Sequence, residues 1–106
     1  MRKAKVFRNG KYAGMLKEEN RNSYQFEYDD AYFYDSSKPA ISLTLPKNKK
    51  RFQSKYLFPF FYNMLSEGVN KRLQSRHLKI DEKDHFGLLL AIAKYEIIGP
   101  VSIEKI

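Results

Sequence analysis

Lys5-Val6-Phe7-Arg8-Asn9-Gly10-Lys11-Tyr12-Ala13-Gly14-Met15-Leu16 is the stretch that decides the fold. Both central residues of a two-residue reverse turn need positive φ, and Asn and Gly tolerate it best. Asn9-Gly10 between two apolar-bearing runs therefore predicts an antiparallel hairpin. Downstream, Ser23-Tyr24-Gln25-Phe26-Glu27-Tyr28 alternates, with Tyr24, Phe26 and Tyr28 on one face and Gln25 and Glu27 on the other. That period of two predicts a third strand, ended by Asp29-Asp30. Residues 35–40 read as loop, with Ser36, Ser37 and Pro39 as turn formers. Ile41-Ser42-Leu43-Thr44-Leu45-Pro46 alternates strictly and closes on proline, which predicts a half-buried strand with Ile41, Leu43 and Leu45 facing inward.

The character then changes. Residues 47–55 form a polar, basic connection. Residues 57–65 read as a short helix with Pro59 in its first turn, broken by Ser66-Glu67-Gly68. A second helix, from Val69 to Leu78, is mostly polar and basic. A third runs from near Asp84 to about Tyr95, with Phe86, Leu89, Leu90 and Ala93 at helical spacing and Asp81 or Asp84 as N-cap. Gly99-Pro100 ends it, and Val101 to Ile106 alternates as a closing strand. Strands, then helices, then one strand describe an α+β fold. Its small, mainly antiparallel sheet carries the N-terminal hairpin, further strands and a C-terminal strand, with about three helices on one side. A length of 106 residues fits one domain spanning 1–106.

Hydrophobic residues make up 42% and aromatics 15%, with eight Phe, eight Tyr and no Trp, so the core should be rich in rings and the composition argues against disorder. There is no cysteine, which rules out disulfides and thiolate metal sites. No apolar run approaches the roughly 20 residues of a membrane span, and the N-terminus lacks the apolar stretch of a secretory signal. A soluble, cytoplasmic protein is the expectation, with no membrane partner. The net charge of +8 is uneven. Six basic residues and no acid lie between Met1 and Lys17, and nine basic residues face one acid, Glu67, between Lys47 and Ile80. Such a field favours acidic partners without choosing among them.

No residue set supports catalysis. His77 and His85 stand eight apart without a partner at metal-ligand spacing, and read as surface or capping histidines. Neither phosphate-cradling glycine motif is present, nor the kinase signatures V-A-I-K, H-R-D and D-F-G. Asp81, Glu82 and Asp84 read as dipole partners at a helix start. The expectation is no enzyme, no cofactor and no metal. The basic loop from Pro46 to Tyr56 could meet a partner, because Lys47, Lys49, Lys50 and Arg51 are interleaved with Phe52 and Tyr56, rings able to stack on bases. A solvated loop is the equally ordinary alternative.

Several stretches together resemble the N-terminal subdomain of HipA-type serine/threonine kinases. Val6 to Leu16 looks like its opening hairpin, and Ile41-Ser42-Leu43-Thr44-Leu45-Pro46 is similar to its S-L-S-L-P segment. Phe60-Phe61-Tyr62-Asn63-Met64-Leu65-Ser66-Glu67-Gly68 resembles F-F-x-N-L-L-P-E-G, and Asp84-His85-Phe86-Gly87-Leu88-Leu89 resembles D-x-F-x-L-L, followed by a Gly-Pro-Val closing strand. Ser66 stands where the family has proline, and residues 94–98 replace its G-R-D-x-x stretch. The full-length kinases continue with an ATP site, whereas this chain stops. A free-standing copy resembles the HipS-like antitoxins of split HipBST toxin–antitoxin systems. The resemblance implies an antitoxin that binds and neutralises a separate HipT-like serine/threonine kinase, in a complex with a HipB-like helix-turn-helix DNA-binding protein. Its implied partner-binding residues are Phe60, Tyr62, Met64, Ser66 and Glu67, with Lys49, Lys50 and Arg51 of the basic loop. The alternative function is a basic nucleic-acid-binding accessory protein acting through the 47–55 loop and the 69–79 helix, so a direct nucleic-acid contact is a secondary expectation.

Overall fold

A computed structural model of the protein describes residues 2–63, 83–92 and 101–106. The helix expected from Val69 to Leu78, the 66–68 break, His77, the end of the third helix and Gly99-Pro100 lie outside the described residues. β1 (Arg2–Arg8) and β2 (Lys11–Asn20) form the expected hairpin, and Asn9 and Gly10 take φ of 51° and 78°. β3 (Ser23–Tyr28) pairs with β2, and the N–H of Asn22 donates to Asn20 Oδ1 at 2.8 Å within the connecting turn. β4 (Arg51–Ser54) pairs with β3, and β5 (Val101–Lys105) pairs with β1. The result is a five-stranded antiparallel sheet in the order β4-β3-β2-β1-β5.

Alternation fixes the two faces of this sheet. Ala4, Val6, Leu16, Tyr24, Phe26, Tyr28, Val101 and Ile103 are buried on one side. α1 (Asp30–Phe33), α2 (Pro59–Tyr62) and α3 (His85–Ile92) pack over that same side. The core is a chain of rings, as the composition implied. Tyr28 meets Phe26 edge-on at 4.9 Å and stacks on Tyr32 at 6.0 Å, while Phe61 meets Phe26 at 5.9 Å and Phe86 meets Tyr24 at 6.3 Å. The register shift between Val6 and Phe7 bulges β2 at Ala13, whose carbonyl accepts the Asp29 N–H at 2.7 Å as the chain leaves the sheet.

Two expectations need correcting, and one helix was not foreseen. Residues 41–46 are no strand: Ile41 and Leu45 are buried as expected, but Leu43 is 98% exposed. The Ser42 hydroxyl accepts the Thr44 N–H at 3.2 Å and the Ser42 carbonyl accepts the Leu45 N–H at 3.1 Å. These local bonds give the backbone an alternative to a sheet ladder, and the chain turns there. The basic connection at 47–55, in contrast, contains β4. Phe52 sits opposite Phe26 and Arg51 opposite Glu27, so a ring pair and an opposite-charge pair hold a short, charged edge strand. In addition, α1 begins at Asp30 itself, with Asp29 at its N-cap, where the sequence showed only the strand end that the structure also has at Tyr28.

α2 keeps its expected Pro59 in the first turn, preceded by Phe58 in extended backbone at ψ 136°. α3 starts as expected: Asp84 Oδ1 accepts the Gly87 N–H at 3.1 Å. Phe86, Leu88, Leu89 and Leu90 of α3 are all buried, so more of the helix is enclosed than a single stripe predicts.

Candidate docking surface

The short helix α2 divides its rings between core and surface. Phe61 is fully buried, Phe60 packs against the core while partly exposed, and Tyr62 is 36% exposed. Helical geometry sends neighbouring residues about 100° apart, so with Phe61 held by Phe26 and Phe58, Tyr62 turns toward solvent and meets His85 edge-on at 4.8 Å. Met64, Ser66 and Glu67 lie outside the described residues. Of the helix-borne residues named from the sequence, Phe60 and Tyr62 can be placed here.

Tyr62 forms one wall of an open cleft of about 510 Å³ between the β2–β3 turn, the segment leading into α2, and the start of α3. Its apolar wall is Tyr24, Tyr56, Leu57 and Pro59, and its polar rim includes Glu18, Arg21, Asp84 and His85. Tyr56 is 76% exposed. An apolar centre with a charged rim is an anatomy that suits protein docking.

The base of this cleft is pinned by a clamp that sequence reading did not find. Arg2 Nε donates to Glu18 Oε1 at 2.7 Å, while Nη1 and Nη2 of the same guanidinium grip Asp84 at 3.0 and 2.6 Å. The Arg2 guanidinium also lies over the Phe86 ring, 5.3 Å from its centroid. The planar fork of arginine suits this bidentate grip, which lysine could not make. Hydrogen bonding to Asp84 raises the Arg2 pKa further, and Arg2 in turn holds the Asp84 carboxyl below its ordinary value. Burial and the neighbouring Glu18 charge push the Tyr24 hydroxyl up. Gly87 is required by closeness: a Cβ there would run into the Asp84 carboxylate and come within 3.0 Å of Arg2 Nη1. In the sequence, Arg2 reads as one of six N-terminal cations, and nothing in a single chain links it to residues 16 and 82 positions away.

The basic loop is placed elsewhere and is largely tied down. Lys50 pairs with Asp30 and lies 3.9 Å from Glu27, and Arg51 pairs with Glu27 at 3.4 Å. Lys47 Nζ donates to the carbonyls of Asp35 and Lys38 at 2.7 and 2.8 Å. Lys49 sits over the Phe52 ring at 5.0 Å and has no ion pair among the described residues. Lys50 and Arg51 fasten α1 and β4 to the sheet, Lys47 ties down the loop after α1, and none of the four cations lines the cleft beside Tyr62. Among the described residues no group of three His, Asp or Glu is placed to hold a metal ion, and no helix is long and apolar enough to cross a membrane.

Comparison with known proteins adds the following. A family model described as the HipA N-terminal domain matches residues 4–104. An uncharacterized protein of Haemophilus influenzae (strain Rd) is 33% identical over 105 residues, covering 99% of this chain and 93% of the relative. That relative is therefore of nearly the same length. A solved structure of the N-terminal domain of HipA toxin superposes with a TM-score of 0.74 at 30% identity, covering all of this chain and 93% of that one.

Proposed function

Because the chain belongs to the HipA N-terminal domain family, we propose that it acts as the antitoxin subunit of a tripartite toxin–antitoxin system. In this role it docks on a separate HipA-like serine/threonine kinase, takes the place of that kinase's own N-terminal domain, and restrains it. A HipB-like DNA-binding protein would complete the complex. The supporting observation is the agreement in fold and sequence with the HipA toxin's N-terminal domain along the whole chain. The relative of matching length from Haemophilus influenzae adds to it. A module that packs against a larger kinase carries a face suited to that contact, and the cleft beside Tyr62 and Tyr56 has the apolar centre and polar rim such a face needs.

A stable complex buries about 800 Å² per partner, a modest share of this chain's 6818 Å². In this account Phe60, Tyr62, Met64, Ser66 and Glu67 meet the kinase, and Lys49, over the Phe52 ring, lies outside the cleft. Lys50 and Arg51 contribute mainly by holding β4 in place.

The test is co-expression with a kinase core lacking its own N-terminal domain, scoring growth and co-purification together. Growth restored with both chains in one complex supports docking. Growth restored with no stable complex counts against it.

A further inference from the structure

The turn from Ile41 to Leu45 devotes buried hydrogen bonds to displaying one side chain in water. Ile41 and Leu45 are 6% and 2% exposed, and Leu43 between them is 98% exposed. Both shoulders hang on one residue of β3: the buried Tyr28 hydroxyl donates to the Leu45 carbonyl and accepts the Ile41 N–H at 3.1 Å. Inside the turn, Ser42 takes the N–H groups of Thr44 and Leu45, and the Ser42 and Thr44 hydroxyls lie 2.9 Å apart. The conformation is set before any partner arrives.

A single exposed leucine on a loose loop needs no explanation. This one breaks the alternation of its own segment, on a turn whose backbone is fixed from inside the core. Places where local pattern and structure disagree in this way tend to be functional. A fixed backbone also removes the ordering cost that binding would otherwise incur, which is the usual setting of an interface anchor.

We propose that Leu43 is an apolar anchor that enters a hole on the kinase to which this chain docks; the inference rests on the docking function above and adds a second contact point, outside the cleft beside Tyr62. A protein hole suits it better than a polyanion, because residues 40–46 carry no charge that could hold phosphates. One leucine also gives too little apolar area to hold a membrane surface.

The experiment compares wild type, Leu43→Ala and Leu43→Glu for melting temperature and for affinity to a purified HipA-like kinase core lacking its N-terminal domain. Both variants should melt within about 2 °C of wild type, since the side chain is almost wholly in solvent. Leu43→Ala should bind on the order of 30-fold more weakly, the effect of leaving one leucine unburied, and Leu43→Glu more weakly still. Variants binding like wild type would overturn the anchor and leave the docking function standing. Failure of the wild type itself to bind the kinase would overturn both. If Leu43→Glu instead dissolved a dimer of this chain without changing kinase affinity, the partner assignment would be overturned in favour of a second copy.

Discussion

Replacing Tyr28 with Phe removes one oxygen and leaves the core ring in place, so it isolates the bonds that hold the 41–45 turn. The ring keeps its edge contact with Phe26 at 4.9 Å and its stack on Tyr32 at 6.0 Å. Lost are the donor to the Leu45 carbonyl and the acceptor for the Ile41 N–H, both on residues under 10% exposed. A buried polar group left without a partner costs about 1–3 kcal/mol. Because the turn can relax outward and recover some water, the pair together should cost about 2–3 kcal/mol. For a chain of this length each kcal/mol lowers the melting temperature by roughly 4–8 °C, so Tyr28→Phe should melt about 10 °C or more below wild type. Guanidinium unfolding should show the same loss with an unchanged slope, and the Ile41 amide should lose hydrogen-exchange protection.

The same hydroxyl also gives a pH signature. Burial raises the Tyr28 pKa above its ordinary 10.0. The protonated donor therefore contributes fully below pH 10, and its contribution fades as pH rises through the higher folded-state value. The gap between wild type and Tyr28→Phe should close only in that alkaline range. A variant within 0.5 kcal/mol of wild type at neutral pH, with the Ile41 amide still protected, would refute the view that this hydroxyl holds the turn.

Other consequences follow from the clamp and the sheet. Asp84→Asn should destabilise by about 1–2 kcal/mol at pH 7, a charge-assisted bond discounted for partial exposure. Because the folded pKa of Asp84 is lowered, that contribution is present above the ordinary 3.8 and lost as pH falls through the folded value; urea midpoints of the two proteins should converge only in that acidic range. Gly87→Ala gains helix propensity yet forces a methyl group against the Asp84 carboxylate, so chemical denaturation should show a net loss of about 1–2 kcal/mol. Lys3 lies directly opposite Lys17 across β1 and β2, and Lys3→Glu should stabilise by about 0.2–1 kcal/mol at low salt, a gain that shrinks as salt is added.

Much of this architecture is local and so could be read from sequence. Asn9-Gly10 dictates its turn by backbone conformation alone, and the Tyr24-Phe26-Tyr28 alternation marks the core face of β3. Pro59 and Asp84 mark helix starts through the backbone groups they lack or satisfy. The failures lie where distant residues decide. The same alternation at 41–45 produces a turn, because Ser42 and the remote Tyr28 hydroxyl bind its backbone. β4 has little strand pattern of its own and is recruited by β3 through Phe26 and Glu27. At the candidate surface, the division between Phe61 in the core and Tyr62 facing solvent accords with helical spacing. The Arg2–Glu18–Asp84 clamp beneath the cleft was not legible in the sequence, since three charges brought together from both ends of the chain leave no spacing to detect.

The direct test of the proposed role is a calorimetric titration of the purified chain into a HipA-like kinase core without its N-terminal domain, with kinase activity followed on the same samples. A saturable, submicromolar complex is expected, with phosphorylation that falls in step with occupancy. Phosphorylation undiminished at full occupancy would contradict the antitoxin role, and a flat titration would contradict docking itself.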